Sequence, residues 1–338
     1  MTTLEMLKEL CGATGVTGEE FSASEKAAEL LRAYTDNVEI DSFGSVIGRI
    51  PGKGENCPTL LLDAHIDQIG MIVTHITDEG FLRVSSCGGV DRRLLLAQQV
   101  IVHGKKPLVG IVGTKPPHLT SAEETKQVPA VEDIAIDVGY TKEELEELVC
   151  PGDRVTYDGD FLEMANGRVS SKSLDDRSGV AAILYALEQI KGKDLSYNLV
   201  IVFSVQEEVG GTGAATTAFR IAPDEAIAVD VSFAKTADLK QQHIPDMGTG
   251  AMIGISPILN RGMFDELVNL AKEGEIPYTL EAMGGRTGTN ADEISVAAGG
   301  VRTGLLSIPM KYMHTPVEMV QISDVEAVGK LIAAYILR

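Results

Sequence analysis

Apolar and polar residues along the chain follow two patterns that differ in their period. In residues 1–70 and 165–338, continuous apolar runs of strand length alternate with segments whose apolar residues recur at helical spacing. Strands that are apolar on both faces are typical of a sheet buried between helices, and alternation of strand and helix favours parallel pairing. We therefore predict an α/β domain with a mixed, mostly parallel sheet sandwiched by helices. One helical stripe consists of Val180, Ile183, Leu184, Leu187 and Ile190.

Residues 71–164 have a different pattern. Short β-type runs separated by turns that contain Gly dominate, and the one clear helical segment is 141–149. Such a pattern is typical of a small β-barrel or sandwich. Alternating strand and helix patterns precede residue 71 and resume after residue 164. We therefore predict that 71–164 is a domain inserted into a catalytic domain built from 1–70 and 165–338.

Two predicted helices begin with the spacing of a capping box, in which a Ser is followed three residues later by a Glu. Ser22 and Glu25 have this spacing in the second helix, and Ser323 and Glu326 have it in the last helix. We expect each Ser to be the N-cap of its helix.

Composition narrows the classes of function. The 338 residues carry a formal net charge of −20, which repels nucleic acid and anionic membrane surfaces. No apolar run approaches the roughly 20 residues of a membrane helix, and the start MTTLEMLKEL lacks the apolar core of a signal peptide. The four cysteines are scattered without a CxxC pair, which is typical of free thiols in a reducing cytoplasm. We therefore expect a cytoplasmic protein that binds neither nucleic acid nor membrane.

The predicted strands of the α/β domain are followed by side chains that could bind metal or move protons. In a parallel sheet the carboxyl ends of the strands meet at one edge, so residues that follow different strands come close together. Two adjacent glutamates at the end of an apolar strand, as in LVIVFSVQEE, are costly unless something there requires negative charge. The residues expected at this edge are His65 and Asp67 after strand 58–63, Asp175 before the helix from 176, Glu207 and Glu208 after strand 199–205, Asp230 at the end of strand 226–230, and His314 after strand 304–309.

The residue types in this set favour a metal site. Imidazole and carboxylate groups are ordinary ligands of zinc and similar divalent ions, and one carboxylate can bridge two of them. Asp175, Glu208, Asp230 and a bridging hydroxide would together neutralise two divalent ions. Glu207 would then remain free beside a ligand, in a position suited to a general base acting on a bridging water.

Each of these signals alone has a simpler interpretation. A histidine at a strand end is more often a structural residue or fills a loop, adjacent glutamates are usually a solvated turn, and aspartates at a helix start are favoured by the helix dipole. The hypothesis of a metal site depends on their predicted convergence at one sheet edge. The histidines of the inserted region, His75 and His103, are interpreted as structural.

Five motifs of the chain, in their order and spacing, carry a resemblance to a known family. They are DAHIDQIG, SKSLDDRSG, VQEEVGGTGA, AVDVSFA and MHTPVEM. The chain resembles the glutamyl and deblocking aminopeptidases, cytosolic dinuclear metallopeptidases that include the tetrahedral (TET) aminopeptidases. The resemblance spans the whole chain, including a β-rich insertion after the first motif.

The resemblance implies a role for each candidate residue. One departure is Asn290, where relatives are expected to have an Asp; because Asn290 is not among the implied ligands, the departure concerns substrate preference rather than metal binding.

The implied ions are two divalent metals per subunit, with Zn²⁺ expected and Co²⁺ or Mn²⁺ as alternatives. The implied roles are His65 and Asp230 on one metal, Glu208 and His314 on the other, Asp175 as the bridge, Glu207 as the general base, and Asp67 as the residue that orients the His65 ring.

We interpret the sequence as that of a metal-dependent aminopeptidase acting on peptides. The resemblance also implies a homo-oligomer, up to a hollow tetrahedral dodecamer, and we expect the insertion to build it. Two alternatives stay open: another hydrolase, such as a deacylase or a glycosidase with two carboxylates and no metal, and a non-catalytic scaffold stabilised by metal.

Overall fold

The computed structural model describes residues 1–237 and 244–338. In these residues the regular structure consists of eight α-helices, seventeen β-strands and five short 3-10 helices, and none of the helices combines the length and hydropathy that crossing a bilayer requires. The helices are α1 (Thr3–Gly12), α2 (Phe21–Leu31), α3 (Lys142–Leu148), α4 (Leu174–Ile190), α5 (Thr212–Ile221), α6 (Arg261–Glu273), α7 (Ala291–Ser295) and α8 (Ile322–Ile336). The strands are β1 (Val38–Ile40), β2 (Val46–Ile50), β3 (Thr59–His65), β4 (Gly70–Ile76), β5 (Phe81–Cys87), β6 (Gln99–His103), β7 (Pro107–Val112), β8 (Ile136–Asp137), β9 (Arg154–Tyr157), β10 (Leu162–Met164), β11 (Arg168–Ser171), β12 (Asn198–Ser204), β13 (Glu225–Phe233), β14 (Ala251–Ile255), β15 (Tyr278–Ala282), β16 (Arg302–Met310) and β17 (Glu318–Gln321).

Eight of these strands form one mixed sheet in the order β1-β2-β12-β3-β13-β16-β14-β15. The four central strands, β12, β3, β13 and β16, run parallel, whereas β2 and β14 pair with them antiparallel. The register places Ser204 beside His65 and Ala228 beside Asp63, so the carboxyl ends of the central strands reach a common edge. The predicted mixed, mostly parallel sheet is confirmed.

Helices cover both faces of the sheet, and each face has its own apolar core. The larger core contains residues of α1, α2, α4, α6 and α8, and the smaller core contains residues of α5 and α7. In the larger core, α8 approaches α4 closely at Gly329, which has no side chain. A Cβ atom added there would lie 2.7 Å from the carbonyl oxygen of Ala182 in α4. Burying each Leu or Ile side chain of these cores stabilises the fold by about 1.5–3 kcal/mol.

Six strands between residues 70 and 157 close into an antiparallel barrel in the order β4-β5-β8-β7-β6-β9. Alternate residues of these strands point into a separate apolar core, as in β7, where Leu108 is buried and Val109 is exposed. β10 lies within the predicted insertion 71–164, but it pairs with β11 rather than with the barrel. β11 also pairs with β17, which creates a three-stranded sheet outside the barrel.

The two predicted capping boxes are wrong. α2 begins at Phe21 and α8 begins at Ile322, so both predicted serine caps lie inside the first turn, and neither helix has a side-chain cap. The Glu326 carboxylate instead accepts a hydrogen bond from the hydroxyl of Thr3 in α1 at 3.1 Å. Tertiary contact between the first and last helices therefore takes the place of the predicted local cap.

Two further features were not predicted from the pattern. β14 is a buried strand that pairs antiparallel with β16. Its five residues include Gly254, so its apolar run was too short to be recognised as a strand in the sequence. α1 begins with a complete capping box formed by Thr2 and Glu5.

Candidate metal centre

Side chains from several separate segments converge at the carboxyl edge of the parallel strands. β3 ends at His65, α4 begins beside Asp175, and the turn after β12 carries Glu208. β13 contains Asp230, and the turn after β16 carries His314. These five residues, the predicted ligands, form two groups in which one ligand atom of each residue lies within 4.8 Å of the others. We call them the inner pocket (His65, Asp175, Asp230) and the outer pocket (Asp175, Glu208, His314).

His65 of the inner pocket is buried, and its two ring nitrogens have different surroundings. Nε2 lies 3.0 Å from Oδ1 of Asp175 and 4.0 Å from Oδ1 of Asp230. Nδ1 lies 3.2 Å from the main-chain oxygen of Asp67 and 3.4 Å from its carboxylate. A ring whose Nδ1–H faces such acceptors keeps Nε2 available as a ligand atom, so Asp67 is placed to set the orientation of the imidazole.

His314 of the outer pocket lies nearer to solvent than His65. Its side chain is 33% exposed against 2% for His65. Nε2 of His314 lies 3.3 Å from Oδ2 of Asp175 and 3.4 Å from Oε2 of Glu208. The residue has a φ of 61°, in the left-handed region that residues other than Gly seldom adopt, so the turn after β16 needs support from its surroundings.

Asp67 also holds the turn after β12. Its fully buried carboxylate accepts the N–H of Glu207 at 3.0 Å and the N–H of Glu208 at 3.2 Å, one on each oxygen. Gly210 closes the turn by donating to the carbonyl of Glu207 at 2.9 Å. Glu207 lines the cleft beside Glu208 but belongs to neither pocket. The turn thus presents one carboxylate within the outer pocket and one next to it.

Asp230 differs locally from its predicted position, whereas Asp175 precedes the regular part of α4, as predicted. Asp230 lies inside β13, which continues to Phe233, rather than at the end of strand 226–230. Within the first turn of α4, Asp175 (φ −79°, ψ 111°) and Asp176 (φ −113°, ψ 40°) are not helical, so the regular helix starts after Asp176. The main-chain N–H of Asp175 is consequently free to bond outside the helix.

The carboxyl groups of this edge crowd each other. Burial raises the pKa of Glu207 to about 7, and burial also raises the pKa of Glu208 and, by more, that of Asp230, with neighbouring carboxylates adding to each shift. Hydrogen bonds to Asp175 and Glu208 raise the pKa of His314 to about 11, because the imidazolium compensates their charge. Oδ2 of Asp176, fully buried beside them, has no hydrogen-bond partner among residues 1–237 and 244–338.

These groups fit divalent cations. Bound cations would favour the ionised form of each carboxyl group and the neutral form of each imidazole. They would therefore lower the pKa values that burial and crowding raise. The donors are carboxylate oxygens and imidazole nitrogens, the set that suits zinc and similar ions. Each pocket offers three protein ligands, which is the number found in catalytic zinc sites with an open position.

Both pockets open into a cleft of about 640 Å³, a size that admits a short peptide. Phe233 and Met313 form apolar parts of its wall, and Arg286 lies on the loop before α7. Arg286 is ion-paired with Asp292 at 3.1 Å and with Glu293. The barrel contributes Gly89, from the loop after β5, to the wall of the same cleft.

Three residues around the site were not identified from the sequence. Arg177 is fully buried and donates hydrogen bonds to main-chain carbonyls at the end of α1 and in the loop after β3. Glu318 accepts the N–H groups of Asp175 and His314. Arg177 and Glu318 lie within the motifs SKSLDDRSG and MHTPVEM and could have been noticed there, whereas Gly89 lies in the insertion and has no such signal.

Asn290, the departure noted in the sequence, lies in neither pocket. Its buried amide nitrogen donates to Oδ2 of Asp63 at 2.8 Å and to Oγ of Ser204 at 2.9 Å. Burial raises the pKa of Asp63 to about 6. An Asn at position 290 supplies a donor to this carboxyl group, where an Asp would add a second negative charge.

Comparison with known proteins agrees with this architecture. The family model described as M42 glutamyl aminopeptidase matches residues 44–331. A lysyl aminopeptidase of Pyrococcus furiosus is 34% identical over 342 residues, which cover 99% of this chain and 96% of the relative. The crystal structure of a TET aminopeptidase from Thaumarchaeota archaeon SCGC AB-539-E09 has a TM-score of 0.93 at 32% identity, covering 99% of this chain and 96% of that chain. The TET1 peptidase of Pyrococcus horikoshii, which can assemble into a tetrahedron or a large octahedral shell, has a TM-score of 0.86 at 34% identity and 99% coverage of both chains.

The fold and these similarities along almost the whole chain define a hydrolase of the aminopeptidase class. The chain belongs to the M42 glutamyl aminopeptidase family. The resemblance inferred from the five sequence motifs is confirmed.

Proposed function

We propose that this protein is a dinuclear metal-dependent aminopeptidase that removes N-terminal residues from peptides. In this proposal one divalent ion occupies the inner pocket and a second occupies the outer pocket, with Zn²⁺ expected and Co²⁺ or Mn²⁺ as alternatives. The observation that carries the proposal is the position of Asp175. One of its oxygens lies 3.0 Å from Nε2 of His65 and the other lies 3.3 Å from Nε2 of His314, as a bridging carboxylate requires.

When bound, the two ions would polarise the scissile carbonyl group and increase the acidity of the attacking water. We assign Glu207 as the general base, because it is a carboxylate beside both pockets that neither pocket uses. Its carboxylate accepts the proton of the attacking water and passes it to the leaving amine. Asp67 is a positioning residue for both steps, since it faces Nδ1 of His65 and holds the backbone of Glu207.

Charge in the cleft favours a free amino terminus over a free carboxyl terminus. Apart from the proposed metal ligands, the carboxylates that line it include Glu207, Asp292 and Glu293, and Arg286 is already paired with the last two of these. A cleft with this excess of negative charge attracts an α-ammonium group and repels a carboxylate. This supports an aminopeptidase rather than a carboxypeptidase.

We also propose that the barrel in residues 71–164 is an oligomerisation domain and that the subunits form a closed shell, as a tetrahedral dodecamer would. In support, β7 exposes apolar side chains on its outer face, with Val109 61% and Ile111 45% exposed. The relative from Pyrococcus horikoshii assembles into a tetrahedron or an octahedral shell. A cytoplasmic location is consistent with the four cysteines, all of which are free thiols.

The alternatives differ from this proposal in what they need from metal and substrate. A deacylase would use the same metal site on an acylated amine, a glycosidase would use two carboxylates without metal, and a scaffold would bind metal without turnover. Aminoacyl anilides, matched peptides with free or acetylated N-termini, and aryl glycosides distinguish all three when they are tested with and without a chelator.

We expect the free N-termini to be shortened and the acetylated ones to be left intact. A chelator should abolish the activity, and Zn²⁺, Co²⁺ or Mn²⁺ should restore it. Cleavage that persists after complete metal removal would exclude the metal mechanism. Preference for acetylated substrates would favour the deacylase, and two bound ions with no turnover on any substrate would favour the scaffold.

A further inference from the structure

Glu318 is a buried carboxylate that touches both pockets without belonging to either. It is 2% exposed, and its two oxygens accept main-chain N–H groups from two distant segments. Oε2 accepts from Asp175 at 3.2 Å, and Oε1 accepts from His314 at 3.0 Å. One side chain therefore connects the backbone of the shared ligand to the backbone of a ligand of the outer pocket.

Both of these N–H groups belong to irregular backbone that regular structure leaves without a partner. Asp175 precedes the regular part of α4, and His314 has left-handed dihedral angles in the turn between β16 and β17. A buried main-chain N–H without an acceptor costs about as much as a lost hydrogen bond. Glu318 supplies the acceptor in both cases and so favours these two backbone conformations.

The position of Glu318 is itself fixed by strand pairing. It is the first residue of β17, which pairs antiparallel with β11, and the register places Glu318 opposite Ser171. Ser171 precedes Asp175 by four residues, so the ladder holds the carboxylate close to the start of α4. The distance between Glu318 and the shared ligand thus depends on the sheet rather than on a flexible loop.

We propose that Glu318 is a positioning residue that holds Asp175 and His314 at the separation that lets one carboxylate face both imidazoles. This inference rests on the proposed function, because it concerns how the metal ligands are placed. When a residue that supports metal ligands without binding the metal is lost, metal binding typically weakens 10- to 100-fold. The weakening should be greatest for the outer pocket, which contains both residues that Glu318 holds.

Two substitutions remove the acceptors in steps. Glu318→Gln keeps the shape but converts one acceptor oxygen into a donor, and Glu318→Met removes both acceptors at similar volume. Glu225→Gln is the matched control, because Glu225 is also a buried carboxylate at a strand start, with Tyr197, Tyr335, Arg302 and Arg338 as partners. It precedes Asp230 by five residues, roughly 16 Å of extended strand, and contacts neither pocket.

Metal content and affinity are measured by elemental analysis and by titration with Zn²⁺ and Co²⁺, and the Co²⁺ absorption spectrum reports ligand geometry. We expect roughly 10-fold weaker binding of the second ion in Glu318→Gln and roughly 100-fold in Glu318→Met, with an altered Co²⁺ spectrum. Hydrogen exchange should become faster at the amides of Asp175 and His314 even without metal. Glu225→Gln should lower the melting temperature but keep two ions and the wild-type spectrum.

Wild-type affinity and spectrum in Glu318→Met would overturn the inference and leave the proposed function standing. Equal loss of metal in Glu225→Gln would also overturn it, since general destabilisation would then explain the effect. A wild-type chain that binds no divalent ion would instead overturn the proposed function, and with it the role assigned to Glu318.

Discussion

The ring of His314 packs directly against the main chain of Gly89: a Cβ atom at Gly89 would lie 2.4 Å from Nδ1 of His314. The preceding residue is similarly restricted, because a Cβ atom on Gly88 would lie 3.2 Å from Oε2 of Glu208. Both glycines follow β5 of the barrel, whereas the histidine and the glutamate follow strands of the large sheet. The inserted barrel therefore forms one wall of the outer pocket.

The first prediction is that Gly89→Ala displaces the ring of His314 and weakens the outer pocket. We expect metal binding there to weaken by an order of magnitude or more, because the methyl group has no room while the imidazole keeps its place. Metal per chain is measured by elemental analysis after dialysis. Gly113→Ala is the control within the same insertion, since its Cβ would meet only the carbonyl of Ala135, at 3.4 Å. Two tightly bound ions in Gly89→Ala would contradict the prediction.

The second prediction separates the two adjacent glutamates. Glu207→Gln should keep both ions and lose ~10²-fold or more in kcat, because the amide cannot accept a proton. Glu208→Gln should lose metal from the outer pocket, to which Glu208 belongs. Steady-state kinetics and metal content are measured on the same preparations. If Glu207→Gln turns over at a rate near that of wild type, Glu207 is not the general base.

The third prediction is that metal removal destabilises the fold. Once cations leave, the clustered carboxylates repel each other, so the chelated protein should melt on the order of 5–10 °C lower. Titration with Zn²⁺ or Co²⁺ should restore the melting temperature. A melting temperature that does not change across the titration would mean that the cluster is solvated rather than assembled around metal.

The fourth prediction concerns Glu20, which is 4% exposed and accepts the N–H of Gly18 at 2.6 Å. Burial raises its pKa to about 7, with the nearby Asp67 adding to the shift. A raised pKa means that the ionised form is disfavoured in the fold, so stability is lost as pH rises from about 4.5 towards 7. Glu20→Gln keeps the acceptor oxygen without the charge and should be more stable than wild type by about 3 kcal/mol at pH 8.

This gain should shrink as the pH is lowered from 8 to 5.5, because the wild-type carboxyl becomes protonated in the fold. Urea unfolding at several pH values measures it. Glu19→Gln changes the same formal charge at an exposed neighbouring position and is the control. A gain that does not depend on pH would show that the charge of Glu20 is not its cause.

The fifth prediction is that the barrel builds the oligomer. Light scattering of the wild type should give a mass well above the 36.0 kDa of one chain. Val109→Asp combined with Ile111→Asp should give smaller species that keep both ions, since charges on the outer face of β7 oppose its burial. Phe219→Asp places one such charge on an exposed residue of α5 and serves for comparison. An active wild-type monomer at micromolar concentration would contradict this prediction without affecting the metal chemistry.

The sequence by itself determined the central parallel strands of the sheet and the residues at their carboxyl ends. Most positions of a strand buried on both faces are apolar, so β3 and β12 are visible as apolar runs, and the polar residues that follow mark where each run ends. His65 and Glu208 were found in this way, because their positions depend on local sequence and on the general geometry of parallel sheets. The five motifs added the family, which length and composition could not distinguish.

Only the tertiary structure decided how these residues are held. The carboxylate of Asp67 accepts a hydrogen bond from the main-chain N–H of Glu208, which lies 141 residues away in the sequence. The carboxylate of Glu318 accepts one from Asp175, which lies 143 residues away. Such contacts follow from the register of strands and the path of loops, which no local pattern encodes. The packing of Gly89 against His314 is a further case, because the barrel has its own core and its docking onto the sheet edge leaves no periodic signal. The capping boxes failed because the spacing of Ser and Glu states only what a helix start could use: both helices start one residue before the predicted Ser, and Glu326 of α8 bonds to Thr3 of α1 instead of to a cap.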